Sequence, residues 1–141
     1  MKIQESAENY LETILMLSMQ HPYVRSIDIA NELGFSKPSV SVAMKNLRAS
    51  GHVTVDDSGH ISLTDAGRKI AETIYERHTA LSTWLMQLGV SKETASADAC
   101  RIEHVISAES FAAMKAHIQS IQNAAEKLEN ELDGPQGTPA T

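Results

Sequence analysis

The chain of 141 residues contains a single cysteine, Cys100. One thiol cannot close an internal disulfide, so the fold must rest on packing, and a cytoplasmic setting is expected. Aromatic residues make up only 4% of the chain, against 42% hydrophobic residues overall. The core must therefore be built from Leu, Ile, Val, Ala and Met, which suits packed helices better than a β-sandwich. No stretch approaches the roughly 18 uninterrupted apolar residues of a membrane span, so no membrane partner is expected. The opening segment MKIQESAENYLETILML carries Glu5, Glu8 and Glu12 through the region that a secretory leader keeps apolar, and no leader is expected. HExxH, a phosphate-binding loop and a glycine-rich cradle are also missing, which removes the commonest signatures of catalysis.

Positive charge is in short supply as well. The net charge of −6 argues, for the chain as a whole, against nucleic acid. Its distribution says otherwise. Between Ser36 and His52 stand Lys37, Lys45 and Arg48 with no acid, whereas the acids Glu126, Glu129, Glu131 and Asp133 gather near the other end. Phosphates respond most to charges within a Debye length of about 10 Å, so a basic patch on an acidic body is compatible with DNA.

The apolar periodicity predicts a helix over 4–19, ended by HPY, and a short helix from Ser26 to Leu33, ended by Gly34. Ser36 as N-cap and Pro38 in the first turn predict a third helix, Lys37 to Ala49. In HVTVDDSGHISLT, the alternation of Val53 and Val55, then Ile61 and Leu63, predicts a hairpin with a loop of roughly four residues. Thr64 then caps a long helix from Asp65 to about Leu88. Ser91 caps another to about Val105, and Ser107 caps a last one reaching into the 120s.

Helix, short helix, turn, helix and hairpin is the order of a winged helix-turn-helix. The second helix of the turn lies in the major groove with its first residues toward base edges. The candidate DNA contacts are therefore Ser36, Lys37, Pro38, Ser39, Ser41, Val42, Lys45 and Arg48, with Arg25 ahead of the short helix. Ser and Lys suit phosphates or bases, and Pro38 or Val42 suits a thymine methyl.

Ligand-capable side chains occur in three further places: Glu8, Asn9 and Glu12; His78; and Cys100, Glu103 and His104. Nitrogen, sulfur and carboxylate donors together suit a divalent transition metal better than Mg²⁺ or Ca²⁺. Ordinary alternatives stand beside this reading: a solvated acidic face, a packed histidine, and a small buried cysteine. A Cys100–His104 nucleophile pair in mid-helix lacks oxyanion donors, because the backbone N–H groups there are committed.

The stretch ACRIEHVIS, after a long helix bearing YERH and after a winged helix, resembles the metal-dependent repressors of the diphtheria toxin repressor and manganese transport regulator family. AENYLETILML is similar to that family's first helix, and the resemblance covers about residues 5–120. It implies a homodimer that binds palindromic operators in double-stranded DNA when loaded with Fe²⁺ or Mn²⁺. The matching metal positions are Asn9, Glu12, His78, Cys100, Glu103 and His104. The manganese branch has carboxylates where this chain has Asn9 and Cys100, so one main site is expected. A thiolate ranks Fe²⁺ ahead of Mn²⁺, and Zn²⁺ and Co²⁺ are expected to bind in vitro.

The expected architecture is mainly α: a winged-helix DNA-binding domain with a two-stranded β wing over 1–71, an all-α metal-binding and dimerisation domain over 72–133, and a disordered tail over 134–141. Leu81, Trp84, Leu85 and Leu88 form an apolar stripe suited to the dimer interface, or to ordinary core packing within one chain, and both can hold. Ligands from the first helix and from later helices would let metal loading fix the reading head. Two rival readings are a winged-helix regulator of another signal and a protein-interaction module. The metal set separates this reading from the first rival, and Lys37, Lys45 and Arg48 separate it from the second.

Overall fold

A computed structural model describes residues 5–133. The expected tail at 134–141 lies outside them. The elements run α1 (Glu5–Gln20), α2 (Ser26–Leu33), α3 (Lys37–Ala49), β1 (Val53–Val55), β2 (Ile61–Leu63), α4 (Asp65–Gln87), α5 (Lys92–Val105) and α6 (Ala108–Leu132). The last helix runs well beyond the 120s. Apolar residues recur at helical spacing to its end, and Ile121, Leu128 and Leu132 among them are exposed.

Local chemistry sets the joints. The α1–α2 joint leads to Arg25, whose backbone N–H donates to Asp28 Oδ2 at 2.8 Å. Gly34 ends α2 in the left-handed region, φ 69°, where its N–H reaches the Ala30 carbonyl. Ser36, Ser91 and Ser107 each accept a hydrogen bond from the backbone N–H three residues on, which starts α3, α5 and α6.

The chain forms two compact units, one up to Thr79 and one from Ala80 onward, so the division falls within α4. In the first unit α1 packs against α2, α3 and β2. Its core gathers Leu11, Ile14, Ile29, Val40 and Val53 with Met44, Leu47 and Ala71. Each fully buried aliphatic side chain of this kind contributes about 1.5–3 kcal/mol relative to exposure. In the second unit Leu81, Ala99 and Phe111 form the core, with Ile102, Ile106 and Met114 against it.

The wing is an antiparallel pair with Val53 opposite Leu63 and Val55 opposite Ile61. Its loop, 56–60, is one residue longer than the expected four. The extra residue is absorbed by Asp56, whose Oδ1 accepts from the N–H groups of Ser58 (2.9 Å) and His60 (2.8 Å). These bonds, the His60 backbone N–H first and the nearby His60 ring after it, hold the Asp56 carboxyl below the usual carboxylate range. A carboxyl lowered in the folded state adds stability above its unfolded value and loses it as pH falls through the folded one. A carboxyl-detected NMR titration should find Asp56 titrating below the usual carboxylate range. Titration within that range would show that the loop bonds do not persist in solution.

Candidate metal centre and nucleic-acid interface

The reading head comes first. Val40, Met44 and Leu47 pin one face of α3 to the core, and the opposite face is left to solvent. Ser36, Lys37, Pro38, Ser39, Ser41, Val42, Lys45 and Arg48 are all exposed. Val42 is 59% exposed, a β-branched apolar side chain held in water on the outward face. The Ser36 hydroxyl accepts from the Ser39 N–H at 3.3 Å and donates to the Ser39 hydroxyl at 2.8 Å. Ser36 is thus committed first to capping, and its pairing with Ser39 fixes both side chains at the helix start.

Arg25 is also exposed, and it has company that carried no signal in the sequence. A terminal guanidinium nitrogen of Arg25 lies 3.2 Å from His60 Nε2 on the wing. His60 Nδ1 lies 3.1 Å from Asp56 Oδ2. The His60 ring stacks on Tyr23, with centroids 4.2 Å apart and planes 15° from parallel. The contacts of His60 with Arg25 and Tyr23 span more than thirty positions of sequence, and a one-dimensional pattern does not show them.

The ligand-capable residues fall into two groups. In the first unit, Glu12 on α1 and His78 on α4 offer donor atoms within 4.8 Å of each other. Glu12 is 5% exposed, a carboxylate turned into the protein rather than the solvated face that an acidic first helix suggests. Asn9 stands one turn earlier on α1 and is half-buried. In the second unit, Cys100, Glu103 and His104 on α5 bring Sγ, a carboxylate oxygen and a ring nitrogen within 4.8 Å of one another. That is what spacings of i, i+3 and i+4 produce on one helical face. Glu103 is fully buried, and His104 Nε2 lies 3.3 Å from Glu103 Oε1. Buried ionisable groups persist when paired or when they coordinate metal. The donors combine nitrogen, sulfur and carboxylate oxygen, a set that fits a first-row divalent ion.

Of the stripe on α4, Leu81 is 1% exposed and sits in the core of its own unit. It faces Ala99 and Phe111 because its register on α4 points inward. Trp84 and Leu85 are half-buried, and Leu88 is 64% exposed. Val105, at 75%, is a further exposed apolar residue of this unit that the stripe on α4 alone did not include.

A winged helix with an exposed, acid-free reading helix, followed by a helical unit with clustered donors that could hold a metal ion, has the make-up of a metal-responsive DNA-binding regulator. The sequence comparisons agree. The model described as "Iron dependent repressor, N-terminal DNA binding domain" matches residues 2–61, and "Iron dependent repressor, metal binding and dimerisation domain" matches 64–130. The chain belongs to the iron-dependent repressor family, that of the diphtheria toxin repressor and the manganese regulators. It is 34% identical to the transcriptional regulator MntR of Salmonella typhimurium over 123 residues, 87% of this chain and 78% of that one. It is 31% identical to the HTH-type transcriptional regulator MntR of Geobacillus kaustophilus, covering 88% of each. Among solved structures, a manganese-dependent transcriptional repressor in complex with manganese is 29% identical with a TM-score of 0.72, over 80% of this chain and 52% of that one. The manganese regulator SloR gives 25% and 0.69, over 87% and 55%. The chain thus spans about half the length of these solved structures. Among the described residues, no helix is long and apolar enough to cross a membrane.

Proposed function

We propose that the protein is a metal-activated transcriptional repressor that binds operator DNA as a homodimer in the cytoplasm. The observation that carries this is the convergence of Cys100, Glu103 and His104 within 4.8 Å in the part of the chain that matches a metal-binding and dimerisation domain. The protein is a regulator and not an enzyme, as its family is.

Asn9, Glu12, His78, Cys100, Glu103 and His104 are the proposed metal ligands. A bound divalent ion supplies positive charge to carboxylates that protein burial alone disfavours. Fe²⁺ and Mn²⁺ are the activating ions: the named relatives speak for manganese, and the Cys100 thiol speaks for iron. Zn²⁺ and Co²⁺ bind in vitro by the same donor chemistry.

Asn9 and Glu12 lie on α1, so metal loading there acts on the element that seats the reading head. Glu12 shares α1 with Leu11 and Ile14, which are packed in the core that seats α3. Restraining Glu12 therefore restrains the head. Lys37, Lys45 and Arg48 then meet phosphates, and Ser39, Ser41 and Val42 meet base edges, in each half of a palindrome. Trp84, Leu85 and Leu88 contribute to the dimer surface.

Anaerobic titration of Fe²⁺ or Mn²⁺ into the apo-protein, with duplex binding followed by fluorescence anisotropy, tests the reading. Chelation should weaken binding by about 5- to 150-fold, the usual range for coupled sites. Equal affinity in metal and in EDTA would end the proposal.

A further inference from the structure

We propose that His60 is a positioning residue for DNA binding, holding Arg25 against the wing so that Arg25 makes a phosphate contact in each subunit. This rests on the repressor reading above.

The hydrogen-bond chemistry admits one arrangement. The Arg25 guanidinium can only donate, so His60 Nε2 is the acceptor at 3.2 Å. In the neutral ring Nδ1 then carries the proton, and it faces Asp56 Oδ2 at 3.1 Å. Tyr23 stacks on the ring at 4.2 Å, which favours this orientation. The wing itself is tied to the same segment, since the Ile61 N–H donates to the Val24 carbonyl at 2.7 Å. Asp56, His60, Arg25 and Tyr23 thus join the wing loop to the entry of α2 as one assembly.

The assembly is on the surface. Tyr23 is 63% exposed and Arg25 is exposed beside it, so the contact does not serve to fill a core. An exposed arginine ordinarily samples many rotamers and loses that freedom on binding. The bond to His60 occupies one of its five N–H groups and leaves the others to water. A guanidinium held in place beside a wing is suited to the DNA backbone, where arginine contacts fix register and orientation.

The test uses the full-length, Mn²⁺-loaded protein and a duplex recovered by selection on the wild type, with affinity measured against NaCl concentration. Arg25→Ala should reduce the salt slope by about 0.9 per subunit, the value for one phosphate contact. His60→Ala should weaken binding by about 2- to 12-fold per subunit, the effect of one hydrogen bond. The decisive result is the double variant: with Arg25 already replaced, His60→Ala should weaken binding no further. His60→Gln, whose amide oxygen can accept from Arg25, should restore much of the loss, and thermal melting of both His60 variants checks the fold. An effect of His60→Ala that is undiminished in the Arg25→Ala background, or an unchanged slope in Arg25→Ala, overturns the inference while leaving the repressor reading in place. Wild-type protein that binds no duplex with or without metal overturns both.

Discussion

His104→Ala should lose its response to metal while keeping its fold. Operator affinity should become the same in Mn²⁺ and in EDTA, whereas the wild type should differ by about 5- to 150-fold between them. The His104 side chain is 2% exposed and its Nε2 is 3.3 Å from Glu103 Oε1, so its removal strips a nitrogen donor from beside a buried carboxylate. A neutral imidazole is a common ligand for divalent transition metals, and alanine offers nothing in its place. His117, exposed on α6, supplies the control: His117→Ala should respond as the wild type does. Circular dichroism and thermal melting separate loss of response from loss of fold. A His104→Ala protein that still tightens on DNA when Mn²⁺ is added would remove His104 from the ligand set.

Gly67→Ala should destabilise the DNA-binding unit severely, although alanine is the better helix former by about 1 kcal/mol. Gly67 is buried in the first turn of α4, and its N–H donates to the capping Thr64 Oγ1 at 3.1 Å. A Cβ built there would stand well inside van der Waals contact with the His52 carbonyl oxygen. That carbonyl also accepts from the Thr64 N–H at 3.1 Å, and the Thr64 hydroxyl donates to the Gly51 carbonyl at 2.7 Å. The obstacle is backbone held by two hydrogen-bonded partners, not a side chain that can swing away. Overpacking of this kind costs about 1–3 kcal/mol or more, and for a small unit each kcal/mol lowers the melting temperature by about 4–8 °C. A Gly67→Ala protein that melts with the wild type would show that α4 and β1 separate easily at this point.

The element pattern was legible in the residues because it is set locally. Ser36, Ser91 and Ser107 cap the helices they precede, Gly34 ends α2, and the two short alternating runs pair as the wing. Capping, left-handed glycine and strand alternation act over a few positions, so a one-dimensional reading captures them. The α5 triad was legible for the same reason: 3.6 residues per turn places Cys100, Glu103 and His104 together.

What the sequence left open was decided at longer range. It offered Glu12 as either a ligand or a solvated acid, and packing against the rest of the fold left it 5% exposed and beside His78. It left Leu81 open to dimer contact or to core packing, and Leu81 lies in the small core of the second unit. It gave no weight to His60, whose link to Arg25 joins positions 35 apart. Sequence alone thus determined the helices, the wing, the reading face of α3 and the donors on α5, because each follows from spacing within one element. Only the tertiary structure decided which acids are buried, which apolar residues remain outside, and what the wing holds. Burial and side-chain contact depend on which distant segments the chain brings together, and spacing along one element carries no record of that.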